Sequence, residues 1–287
     1  EVEEGGVEVI VAGADGKTVM LEVGTNIIKE EEAYNAIAFA QANFAPVVEL
    51  IKKVTAEHGK PKVDLFTPKS EELATAQKEA DELKAKAWEY LNGVKDQLFA
   101  EPLKSKNDRK KAVSKLKEGL EAFLTSQEIG KDRRKIAMEV VDEFVDTAVT
   151  DLILDQGKRA DGRAIDEVRA LYADVGLMPR THGSGLFMRG QTQVLSLVTL
   201  GGPGMEQHID TMEFKTTRRF FHHYNFPSYA VSETKSNRGP GRREIGHGGL
   251  AERALIPVIP NKEDFPYTIR VVSEVLGSNG SSSMGSA

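Results

Sequence analysis

Cysteine is absent from all 287 residues, which excludes disulfides and thiolate metal centres and fits a reducing compartment. No apolar run approaches the roughly 20 residues that a membrane-spanning helix needs. The stretch Glu1-Val2-Glu3-Glu4 has neither the basic start nor the apolar core of a signal peptide. A cytoplasmic protein without a membrane partner is therefore expected, and Asn279-Gly280-Ser281 is not read as a glycosylation acceptor. Positive charge is not in excess either: 38 Lys and Arg against 44 Asp and Glu leave a net charge of −6. That balance excludes a protein that coats nucleic acid indiscriminately. Internal repeats and low-complexity tracts are missing. Gly201-Gly202-Pro203-Gly204 follows a strand pattern, but no G-x-G-x-x-G and no clear βαβ unit accompany it, which excludes a dinucleotide-binding oxidoreductase.

What is present is ordinary globular composition, 40% hydrophobic and 29% charged, in a chain whose length favours about two domains. Val7, Val9 and Val11 alternate, Asp15-Gly16 turns the chain, and Val19, Leu21 and Val23 alternate again, as in a hairpin. A helical pattern starts near Glu30, with Pro46 expected to kink it and Gly59 and Pro61 to stop it. From Ser70 to Leu154 three amphipathic helices are predicted, on Leu73 to Leu98, Val113 to Leu124 and Ile136 to Leu152. Their acids, such as Asp142, Glu143, Asp146 and Asp151, read as solvated faces. After Gly157 short strands dominate: 186–188 and 193–200 around the turn Arg189-Gly190-Gln191-Thr192, then 209–215, 219–226 and 267–276, with a helix over 244–254. Strands with helices packed to one side indicate an α+β fold.

Two local chemistries stand out. From Lys215 to Arg243 there are seven Lys and Arg against one acid, Glu233, interleaved with Phe220, Phe221, Tyr224, Phe226, Tyr229, His222 and His223. Cations mixed with rings suit a single nucleic-acid strand, phosphates meeting charge while bases stack; the plainer reading is a strand with core rings and solvated charges. Arg242-Arg243 adds a pair of guanidinium forks that match phosphodiester oxygens, or else an ordinary pair salt-bridged to Glu244 or Glu252. Ser278-Asn279-Gly280-Ser281-Ser282-Ser283 is a Gly/Ser turn that offers N–H groups and hydroxyls to a small anion, or else an unliganded cap.

Four stretches carry a resemblance. They are Arg159-Ala160-Asp161-Gly162-Arg163; Pro179-Arg180-Thr181-His182-Gly183-Ser184-Gly185 running into Arg189-Gly190-Gln191-Thr192; His223-Tyr224-Asn225-Phe226-Pro227 followed by Gly241-Arg242-Arg243-Glu244-Ile245-Gly246-His247-Gly248; and Phe265 to Glu274 ending in the serine turn. Together, in this order, they resemble the ribonuclease PH family. The resemblance implies ribonuclease PH-like (ribosomal protein S5 domain 2-like) domains joined by an all-helical domain: residues 1–60 as the end of a first such domain, 61–155 as the helical domain and 156–287 as the incomplete second. It implies a phosphorolytic 3′→5′ exoribonuclease, a nucleotidyltransferase in reverse, acting on single-stranded RNA in mRNA degradation. Ser281, Ser282 and Ser283 would then take inorganic phosphate, and Arg242, Arg243 and His247 would be the catalytic and RNA-binding residues. His182 and His223 would be structural, and Arg163 and Arg189 packing or subunit-contact charges. The family's Mg2+ is held by an Asp…Asp-x-Lys cluster, expected beyond Ala287, so no metal ligand is assigned here. A homotrimer and an RNA-degradation complex are the implied partners. The alternative is a non-catalytic RNA-binding or ring-scaffold subunit.

Overall fold

The computed structural model describes residues 6–14, 16–65, 67–236 and 239–287; Asp15 of the expected turn and Arg238 of the basic run lie outside the described residues. The chain divides into two compact units, Lys62–Arg169 and a second made of Glu1–Pro61 with Ala170–Ala287.

In the second unit, β1 (Val7–Ala14) and β2 (Lys17–Thr25) pair antiparallel with Val9 opposite Val23 and Val11 opposite Leu21. The helical pattern that follows is interrupted at Asn43 rather than kinked at Pro46, giving α1 (Glu30–Ala42) and α2 (Phe44–His58). Pro46 lies in the first turn of α2, where its missing N–H leaves no helical carbonyl unpaired. Neither helix has a buried residue.

The helical unit contains α3 (Glu71–Gly93), α4 (Lys95–Leu98), α5 (Lys106–Ser126), α6 (Lys131–Met138) and α7 (Val140–Leu154). Two of the three predicted helices are each split, at Val94 and at Glu139. Ser70 caps α3 by accepting from Leu73 N at 3.2 Å. Ser105 and Asp108 cap α5 reciprocally, at 3.1 and 2.9 Å. Leu91, Leu120, Leu124, Val141 and Phe144 form the dry centre, with the Trp88 ring set edge-on to Phe144 at 5.4 Å. Asp142 and Asp151 form ion pairs with Lys117 (3.0 Å) and Lys95 (2.7 Å).

The rest of the second unit is built on β3 (Leu171–Val175), β4 (Gly183–Arg189), β5 (Thr192–Gly201), β6 (Gln207–Asp210), β7 (Lys215–Arg218), β8 (Phe220–Asn225), α8 (Arg242–Leu255), β9 (Thr268–Gly277) and α9 (Ser282–Ser286). One sheet has the order β3-β4-β5-β9-β8. Its pairs are antiparallel except β8–β9, which run parallel with α8 on the connection. This is a βαβ crossover that the sequence reading did not expect, because long loops separate the helix from both strands. The expected strand 209–215 is also corrected. Thr211 Oγ1 accepts from Glu213 N (3.3 Å) and Phe214 N (3.1 Å), turning the chain into a separate β6–β7 hairpin. The mixture of helices and a mostly antiparallel sheet is an α+β architecture, as expected.

Candidate anion and RNA site

The register of β5 against β9 places Gln193 opposite Gly277, so the β4–β5 turn lies beside the chain that leaves β9. That chain is the serine turn. Gly280 (φ 92) and Ser281 (φ 48) adopt left-handed backbone before α9 begins. Thr192 Oγ1 accepts from Asn279 N and donates to Gly280 O, both at 3.1 Å. Arg189 Nη2 donates to the carbonyls of Gly280 and Ser281, each at 3.0 Å. Ser281 is exposed, Ser283 half-buried, and Ser282 buried.

The arginine pair arrives from the other side. Gly239 has φ 87, a conformation that glycine adopts without penalty, and after Gly241 the chain enters α8. Arg242 and Arg243 are its first two residues rather than part of an irregular loop. Glu244 does not pair with them: its Oε2 accepts the Gly241 N–H at 2.9 Å. Glu252 is taken by Arg218 at 2.6 Å and by the His222 N–H at 3.0 Å. Among the described residues Arg242 has no ion pair, and the Arg243 guanidinium lies 4.6 Å above the Phe226 ring. His247, one turn on from Arg243, faces the same side, so it does not cap a following helix.

Tyr224 joins the two halves. Its hydroxyl is 2.8 Å from Ser282 Oγ, its ring lies 5.2 Å edge-on to His247, and Phe226 stacks on it at 6.3 Å. Burial raises the Tyr224 phenol above its ordinary range. Burial, and then the Arg243 charge, hold His247 below the usual histidine value, so its ring is neutral near pH 7. His247 Nδ1 is buried without a partner.

The basic run resolves into two kinds of residue. Lys215 pairs with Asp210 at 2.9 Å, and Arg219 holds the carbonyls of Pro260, Phe265 and Tyr267. Phe220 and Tyr224 are core, whereas Tyr229 is 59% exposed. His182 Nδ1 accepts from Leu200 N at 2.9 Å, and His223 Nδ1 from Arg270 Nε at 3.1 Å. Arg163 pairs with Asp161 at 2.8 Å. Sequence reasoning singled out Arg242, Arg243, His247 and the three serines but missed Tyr224, Arg189 and Thr192 as their supports. The partners of those supports lie 58 to 92 residues away, and no local signal announces such contacts.

No group of three or more His, Asp or Glu side chains among the described residues is arranged to hold a metal ion. With Glu244 and Glu252 committed as above, the residues present do not fit a divalent cation.

The family model for the 3′ exoribonuclease family, domain 1, matches residues 167–287. The chain is 44% identical over 276 residues to a polyribonucleotide nucleotidyltransferase of Syntrophomonas wolfei, covering 96% of this chain and 37% of that protein. It is 43% identical over 287 residues to that of Caldicellulosiruptor saccharolyticus, covering 100% and 39%. For Bacillus pumilus the figures are 42% over 286 residues, with 100% and 39% covered. The chain thus spans 37 to 39% of the length of these relatives. Among solved structures, an archaeal exosome core overlaps in part, with 18% identity and a TM-score of 0.39 over 51% of this chain and 56% of that one. Residues 167–287 thus match the 3′ exoribonuclease (ribonuclease PH) family model, and the chain as a whole is similar to a partial segment of the polyribonucleotide nucleotidyltransferases.

Proposed function

We propose that this chain supplies the phosphate- and RNA-gripping half of a phosphorolytic 3′→5′ exoribonuclease that releases nucleoside 5′-diphosphates from single-stranded RNA. The observation that carries this reading is Tyr224, which bonds Ser282 and packs on His247. It brings a turn suited to a free anion beside a helix start bearing two arginines. In the reaction an oxygen of inorganic phosphate attacks the last phosphodiester phosphorus. The bond from that phosphorus to the 3′-oxygen of the preceding nucleotide breaks, and the departing oxygen takes a proton. Two anions must meet, so positioning and charge neutralisation supply most of the catalysis. Ser281, Ser282 and Ser283 hold the attacking phosphate, Arg242 and Arg243 the terminal RNA phosphates, and His247 sits at the RNA end.

The same reading takes residues 1–60 as the end of one ribonuclease PH-like domain, 61–155 as a helical domain and 156–287 as the beginning of another. It places the protein in the cytoplasm as a homotrimer working in mRNA degradation, with Mg2+ held by residues outside this segment. No helix of the described residues is long and apolar enough to cross a membrane.

The test is to give the protein single-stranded RNA and Mg2+ with and without inorganic phosphate. Diphosphates that appear only with phosphate support phosphorolysis, and monophosphates overturn it. RNA binding without any product supports the non-catalytic scaffold instead. Arg242→Ala with Arg243→Ala should lower RNA affinity, whereas Ser281→Ala with Ser283→Ala should mainly raise the phosphate concentration required.

A further inference from the structure

We propose that Arg189 and Thr192 are positioning residues for inorganic phosphate, acting on the backbone of the serine turn rather than on the anion. The inference deepens the proposed function and rests on its assignment of phosphate to that turn. Thr192 is fully buried at the start of β5, and its hydroxyl bonds Asn279 N and Gly280 O. Arg189, across the two-residue β4–β5 turn, bonds Gly280 O and Ser281 O through one nitrogen. Both carbonyls therefore point at the β4–β5 hairpin.

Every described peptide is trans, and in a trans peptide the N–H points opposite to the carbonyl of the same plane. With the carbonyls of Gly280 and Ser281 turned toward Arg189, the N–H groups of Ser281 and Ser282 are turned away from it. Among the described residues neither N–H has an acceptor. Consecutive N–H groups presented by a left-handed turn form an anion-binding concavity. If either plane flipped, a carbonyl oxygen would replace a donor and repel the anion.

The turn does not hold this shape by itself. Ser281 has φ 48, a region disfavoured for any residue with a Cβ, and such conformations persist only where the surroundings over-determine them. Arg189 and Thr192 are those surroundings. Arg189 Nε is buried without a partner, so the guanidinium is not placed there for the greatest number of hydrogen bonds.

The experiment titrates the 287-residue chain and its Arg189→Gln, Arg189→Lys and Thr192→Val variants with inorganic phosphate by calorimetry. A fluorescent oligoribonucleotide is titrated in parallel. Thr192→Val should weaken phosphate binding about threefold and Arg189→Gln about tenfold, with Arg189→Lys between wild type and Arg189→Gln and RNA affinity kept within about twofold. A merely structural role would lower RNA affinity and the unfolding temperature together with phosphate affinity, and overturns the proposal. Phosphate binding unchanged in both Thr192→Val and Arg189→Gln overturns it and leaves the phosphate assignment standing. Loss confined to the Arg189 variants also overturns it, because charge alone would then explain the effect. A wild-type chain that binds RNA but no phosphate overturns the inference and the assignment together. If Arg189→Gln does not fold, Thr192→Val, which keeps the side-chain shape, decides the matter.

Discussion

Tyr224 shows how one buried hydroxyl can set the chemistry of another. Burial raises its pKa, so the phenol stays protonated and can donate to Ser282, leaving the serine proton for a second acceptor. Tyr224→Phe removes one hydrogen bond of about 0.5–1.5 kcal/mol, and the phosphate dissociation constant should rise accordingly, a few-fold, with RNA affinity unchanged. An unaltered phosphate titration would show that Ser282 plays no part in holding the anion. The histidines make a second prediction at this scale. His222, His223 and His247 all have folded pKa values below the 6.5 of a free side chain, burial being the first cause in each. As pH falls through 6.5 the unfolded chain takes up protons that the folded chain refuses, so stability is full above that value and is lost below it, down to the folded values. The thermal midpoint should therefore drop between about pH 7.5 and about pH 5.5, and the drop should shrink in His222→Gln. An equal drop in that variant would assign the pH dependence to other groups.

At the scale of elements, α8 depends on its cap and on one close approach. Glu244 satisfies the Gly241 N–H at 2.9 Å, and Glu244→Ala should destabilise the unit by about 1 kcal/mol. Gly248 is buried against β8, where an added Cβ would lie 3.3 Å from His222 O and 3.6 Å from Tyr224 N. Backbone cannot move aside as a side chain can, so Gly248→Ala should push α8 off β8 at a cost of about 1–2 kcal/mol. Denaturant titration measures both, and a neutral Gly248→Ala would mean that α8 slides without resistance. The elements themselves were largely legible. Alternation marked β1 and β2, the turn Arg189-Gly190-Gln191-Thr192 marked β4 and β5, and apolar spacing marked α3, α5 and α7. The strand β3 was missed because all five of its residues are exposed; its burial pattern carries no period of two. The short helix α9 was hidden because Gly280 and the serines favour turns in any local accounting.

For the whole molecule, the two compact units give separate experimental handles. The single tryptophan, Trp88, lies against Phe144 in the helical unit, so its fluorescence reports that unit alone. Leu120 is fully buried there, and Leu120→Ala should destabilise the unit by about 2–5 kcal/mol. The transition followed by Trp88 should move to lower denaturant while phosphate binding by the folded chain stays as it was. A loss of phosphate binding under native conditions would show that the helical unit supports the turn.

The sequence alone determined the chemistry available and its approximate place. Arg242, Arg243, His247 and the serines stand within 42 residues of one another, and local composition suffices to mark guanidinium forks and a Gly/Ser turn. It also determined the secondary-structure periods, because alternation and helical spacing are local consequences of which side chains must leave water. Only the tertiary structure decided which groups cooperate. The parallel crossover from β8 through α8 to β9, and the antiparallel register of β5 on β9, bring Tyr224, Arg189 and Thr192 onto Ser282, Gly280 and Asn279. Those partners are far apart along the chain. Hydrogen bonds act over about 3 Å and carry no trace in sequence spacing, so folding had to supply them.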